Sequence, residues 1–122
     1  GILAAIAVPN FISYRNKTFC SATESDARSV AAGVADYFAI PSHTQLPASV
    51  NSLNDNNGVN MSNNNSVTAF TSANPNANIT IVVQDGSSRC PSDYQAAQNS
   101  GVNPTAYWSD TTPGTYTLLI QL

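Results

Sequence analysis

Few side chains in this sequence could do chemistry. The single histidine, His43, lies between Ser42 and Thr44. A histidine works in nucleophilic or acid–base catalysis when a nucleophile and an orienting carboxylate are arranged around it, and no Ser-His-Asp order or nucleophile elbow accompanies His43, so it reads as an ordinary loop residue. Asp85, Asp93 and Asp110 are scattered through loop-like segments, with no pair placed to push one carboxyl pKa up and the other down. The run Asn54-Asp55-Asn56-Asn57-Gly58 has the outline of a calcium loop. It lacks the alternating carboxylates and closing glutamate of an EF-hand, and reads as a solvated loop with Asn57-Gly58 as a deamidation point. Cys20 and Cys90 stand far apart, outside any C-x-x-C pair, and with one histidine they cannot supply a zinc set. They read as a long-range disulfide of an exported protein, with two buried free thiols as the alternative. Such a bridge would contribute about 3 to 5 kcal/mol on the chain-entropy account. No catalytic residue, metal ligand or cofactor is expected, and the chain does not read as an enzyme.

The elements that carry these residues belong to a single domain by length, 122 residues. Charged residues make up only 9% of the chain, far below the usual quarter. Asn, Ser and Thr supply the polarity instead, which suits a surface crowded against copies of itself. A net charge of -3 with four basic residues gives no Lys/Arg stripe to displace counterions, so nucleic acid is not an expected partner.

The chain opens on an apolar segment, residues 1–12, and turns amphipathic over residues 13–39. Residues 1–8 would make about 12 Å of helix, short of the ~20 residues that span a bilayer, and Gly1 and Pro9 mark a kink or melted turn. Arg15 and Lys17 then read as a headgroup anchor or as the wet end of a helix. Beyond them Phe19, Thr23, Ala27, Val30 or Ala31, Val34 and Phe38 recur at three- or four-residue spacing and draw one apolar stripe, with Glu24, Asp26 and Arg28 facing elsewhere. Glu24 and Arg28 stand at i, i+4 in the favourable order. Gly33 costs the helix about 1 kcal/mol relative to alanine, and Pro41 predicts a stop near Ala39.

Residues 40–122 form the head. Asparagine fills about half of Asn51 to Asn65, so residues 42–65 read as a long surface loop, with one helical turn near Ala48 to Leu53. Strands are expected over Ser66 to Thr71, Asn78 to Gln84, Thr105 to Ser109 and Thr115 to Leu122. Asn74-Pro75-Asn76 and Asp110 to Gly114 serve as turns, and Asp85 to Pro104 shows little periodicity. The fold class is α+β: a long N-terminal helix packed through Phe19, Ala27, Val30, Val34 and Phe38 on a three- or four-stranded antiparallel sheet within residues 66–122.

The run Gly1-Ile2-Leu3-Ala4-Ala5-Ile6-Ala7-Val8-Pro9-Asn10-Phe11 resembles the N-terminal stalk of type IV pilins, in which the glycine, the small-residue spacing, the proline and the following aromatic occur in this order. The likeness covers the first 30 or so residues. It implies that further apolar residues, including one glutamate, precede the position of Gly1 in family members, whose N-terminus is methylated. It also implies that Ile2, Leu3, Ile6, Val8, Phe11, Ile12 and Tyr14 pack the core of a filament, with Gly1 and Pro9 where the helix loses hydrogen bonding.

By the same resemblance the partners would be further copies of the chain in a helical homopolymer, the bacterial inner-membrane assembly machinery, and the membrane before assembly. The address would be an extracellular pilus with an inner-membrane pool, and the function adhesion, motility, DNA uptake or cell contact. The major pseudopilin of a type II secretion system is the alternative on the same stalk. Phe11, Tyr14, Phe19 and Phe38 also resemble the stalk aromatics of pilins from metal-reducing bacteria, which makes an electron-conducting pilin a minor alternative to plain packing.

Overall fold

The structure, a computed structural model, describes residues 11–47, 49–53, 58–62, 64–72, 78–99 and 105–120, with side chains left out at 11–14 and 72. Gly1, Ile2, Leu3, Ile6, Val8 and Pro9 lie outside the described residues, as do the expected kink and the Asn74-Pro75-Asn76 turn. Phe11, Ile12 and Tyr14 are described as helical backbone only.

The elements in chain order are helix α1 (Phe11–Phe38), a 3-10 turn (Val50–Ser52), strands β1 (Ser66–Ser72) and β2 (Ile79–Gln84), helix α2 (Ser92–Asn99), and strands β3 (Ala106–Trp108) and β4 (Thr115–Ile120). The strands form one antiparallel sheet in the order β1-β2-β4-β3. A long helix therefore lies on a four-stranded antiparallel sheet, an α+β arrangement closed by a disulfide between Cys20 and Cys90.

Period explains how the layers meet. Along β2 every second residue is buried, namely Ile79, Ile81 and Val83, as alternation on a pleated strand requires. Their β4 partners Ile120, Leu118 and Tyr116 continue the same face. Helix α1 answers with Cys20, Thr23, Ala27, Val30 and Val34, all buried, at the spacing that keeps one helical face inward. Phe38 is partly buried against this core. Phe19 is half-exposed instead, and the Arg89 guanidinium stands 5.7 Å from its ring centroid.

The helix ends where proline predicts. The Ala39 N–H still reaches the carbonyls of Ala35 and Asp36 at 3.1 and 3.2 Å, and the His43 ring then closes the terminus. Its Nδ1–H donates to the Tyr37 carbonyl at 2.8 Å, while the ring stacks on Tyr37 with centroids 3.8 Å apart.

Residues 42–65 carry the expected helical turn, at Val50–Ser52, and also send two side chains inward: Leu53 is completely buried and Asn65 nearly so. Leu53 and Val59 approach α1 at Gly33, where an added Cβ would meet Leu53 Cδ1 and Val59 Cγ2 at 3.4 Å each. Two expectations are corrected. Asp93 lies in the first turn of α2, inside a segment whose sequence carries no apolar period. Asp26 and Glu24 do not face away from the head: Asp26 accepts from Ser62 and Asn65, and Glu24 from Trp108.

Candidate functional site

Three ties bind α1 to the head, and each brings together polar groups distant in sequence. The lowest is the disulfide, which joins residues separated by 70 positions with Cα atoms 4.9 Å apart. The segment that delivers Cys90 is held by Asp85, itself buried. Asp85 Oδ1 accepts from the Ser87 N–H at 3.0 Å and the Ser87 hydroxyl at 2.6 Å, and Oδ2 accepts from the Cys90 N–H at 3.0 Å. A carboxylate filled by three local donors is a structural cap rather than a proton-transfer group. Gln95 continues the clasp by donating to the Cys90 carbonyl at 3.0 Å and accepting from the Gly114 N–H at 3.2 Å.

The second tie is a buried polar knot around Asp26, which is only 4% exposed. Asp26 Oδ2 accepts from the Ser62 N–H and from Asn65 Nδ2, both at 2.8 Å, and Oδ1 accepts from the Ser62 hydroxyl at 3.1 Å. Asn65 Nδ2 also donates to the Thr23 hydroxyl at 3.3 Å, which donates to the Phe19 carbonyl at 2.9 Å. Asn65 Oδ1 accepts from the Gly86 N–H at 2.8 Å. One asparagine thus joins the helix, the Asn-rich segment and the turn after β2. Buried carboxylates need such donors because desolvation is otherwise severe. Asp26 stands three residues after Thr23 and four before Val30, on the buried stripe itself, so helical spacing carried the signal that its charge concealed.

The third tie centres on Glu24. The Trp108 indole Nε1–H donates to Glu24 Oε1 at 3.0 Å, and the Trp108 and Tyr116 rings meet at 5.1 Å with a 55° tilt. Asn99, at the end of α2, bonds the Trp108 backbone as a neighbouring strand would: Oδ1 accepts from its N–H at 2.8 Å and Nδ2 donates to its carbonyl at 2.6 Å. Between α1, α2, β3 and β4 a cleft of ≈ 340 Å³ is lined by Glu24, Arg28, Gln98, Asn99, Ala106, Trp108 and Tyr116. Burial pushes the Tyr116 phenol above its ordinary value; Glu24 adds to the rise, Arg28 opposes it, and Tyr94 contributes a smaller rise. Sequence periodicity does not bring Gln98, Asn99 and Trp108 to Glu24, because that needs the position of α2 against β3.

Toward its N-terminal end the described part of α1 is less covered. Arg15, Lys17 and Thr18 are exposed and Asn16 is half-buried, so from Arg15 onward the first buried side chain is Cys20. Among the described residues no group of three or more His, Cys, Asp or Glu stands together as a metal set. No helix among them is long and apolar enough to cross a membrane. No protein-family model matches the chain, and neither a curated protein nor a solved structure is significantly similar to it.

Proposed function

We propose that this chain is the structural subunit of a type IV pilus, a filament assembled through the N-terminal segment with the α+β head displayed outside. The observation that carries this reading is the continuity of two features. The run from Gly1 to Phe11, which resembles pilin stalks, leads in sequence into a 28-residue helix on which Arg15, Lys17 and Thr18 are exposed. An apolar segment lowers its free energy by packing with copies of itself, because burial removes its surface from water. Small residues among Ala4, Ala5 and Ala7 allow the backbones to approach closely. The disulfide and the charge-poor surface support an exported location, and adhesion, motility, DNA uptake and cell contact are activities of such a fibre.

The test uses the native organism. Fibres sheared from its surface are purified and digested, and peptides of this chain should dominate them. Replacing Leu3 and Ile6 by aspartate should remove the chain from the fibre fraction and leave the melting temperature of the head unchanged. A native chain that stays monomeric without detergent, with its complete N-terminus, would overturn the reading. Absence from surface fibres, together with a calcium-dependent rise in melting temperature, would move it to the pseudopilin of a secretion system.

A further inference from the structure

The cleft above Glu24 has a composition that the assembly reading does not use. Its walls offer an acceptor-only carboxylate on Glu24, a donor-only guanidinium on Arg28 and, on Gln98, a carboxamide able to do both. Tyr116 adds a phenol and Ala106 a small apolar surface. Glu24 and Arg28 are one helical turn apart on α1, hence neighbours on one face. The Trp108 indole takes one oxygen of Glu24, which restrains the carboxylate. Asn99 is occupied with the Trp108 backbone, so it holds the wall in place.

The geometry points to a binding site for a neutral, hydroxyl-rich ring: one monosaccharide unit, held by Glu24, Arg28 and Gln98. The volume of ≈ 340 Å³ lies in the lower part of the range for small-molecule pockets and accommodates one such ring. Charge decides the class. Glu24 and Arg28 bring opposite signs, so a ligand of either net charge gains from one and is repelled by the other. A zwitterion would give up hydration at two charged groups, which is costly. A hydroxyl donates to the carboxylate and accepts from the guanidinium, and a neutral ligand adds no charge of its own to desolvate. Vicinal hydroxyls can therefore bridge the two groups, with the Gln98 carboxamide taking a third. Such binding needs no filament.

Trp108 makes the test direct, because it is the one tryptophan of the chain and its indole N–H is bonded to Glu24. The ¹⁵N-labelled full chain, held in a zwitterionic detergent with no sugar headgroup, is titrated separately with glucose, galactose, mannose and N-acetylglucosamine while the single indole resonance is followed. At least one should move it saturably in the millimolar range. Arg28→Ala and Gln98→Ala, both at exposed positions, should each weaken binding by about tenfold or more with the remaining spectrum unchanged. An indole signal unmoved by all four sugars overturns the proposal. So does a signal that answers to glycine or lysine instead, or a sugar response that survives both substitutions.

Discussion

At the scale of single residues, amides and carboxylates tie the head to α1, and Asn65 is the clearest case. Its carboxamide serves Asp26, Thr23 and the Gly86 N–H together, and no apolar residue of its size could replace those bonds. Asn65→Ala leaves a buried carboxylate short of a donor and the Gly86 N–H without its acceptor. The expected loss is about 2 to 4 kcal/mol, read from the urea midpoint at constant slope. Asn60→Ala, at an exposed position of the same segment, should change stability by less than about 0.5 kcal/mol. Tyr116 gives the pH dependence. Burial, reinforced by Glu24, raises its phenol above the ordinary 10.0 in the folded chain. The folded state therefore holds the phenolic proton more tightly than the unfolded state. The associated stability is fully present below pH 10.0 and is lost as pH rises through the higher folded value. Alkaline titration of Tyr116→Phe should lack that component of the decline, and an identical alkaline limb in both proteins would show that the phenol is not responsible.

At the scale of elements, what the sequence made legible was whatever depended on period. The four strands fall on the expected runs because alternate residues of β2 and β4 meet one core, and α1 stops near the proline that forbids its continuation. Helix α2 was illegible for a physical reason: SDYQAAQN has no apolar stripe, and its buried residue is Gln95, which faces inward to bond Cys90 and Gly114 rather than to escape water. Asp26 and Glu24 are illegible for a related reason: charge in a sequence signals exposure, whereas here hydrogen-bond donors from distant segments meet both carboxylates. Gly33 shows the converse, a residue that looks like a flaw in α1 until Leu53 and Val59 are placed against it. An added Cβ at 3.4 Å from both neighbours sits at the near edge of ordinary contact, while alanine gains up to about 1 kcal/mol in helix propensity. Gly33→Ala should therefore leave stability unchanged or raise it by up to about 1 kcal/mol. Gly33→Val should lower it by about 1 to 3 kcal/mol through overpacking. Thermal melts of the two variants would separate a packing role from a propensity defect: a marked loss already in alanine would mean that the loop cannot give way at all.

At the scale of the whole molecule α1 is the common partner: the sheet packs on it, the Asn-rich segment is knotted to it through Asp26, and α2 is anchored to it through Cys20 and, by way of Trp108, through Glu24. The ties differ in kind, so they should fail separately. The disulfide closes a loop of 70 residues that contains β1, β2 and the Asn-rich segment. Its loss widens the unfolded ensemble by an amount worth about 4 kcal/mol, a large share of the about 5 to 15 kcal/mol that holds a typical domain. The β2–β4 pairing and the face it buries against α1 do not pass through the bridge, whereas the chain from Asp85 to α2 reaches α1 at that end through Cys90. Cys20→Ala combined with Cys90→Ala should accordingly remain folded at moderate temperature with a melting point lowered in proportion to that loss. In native-state hydrogen exchange of this double variant, amides of residues 86–99 should exchange markedly faster than in the parent. Amides of β2 and β4 should remain the slowest of the chain, because their stability rests on the core and not on the bridge. If all amides instead accelerated together to one common rate, the disulfide would be holding the helix on the sheet as a unit, and the hierarchy of ties along α1 would be wrong.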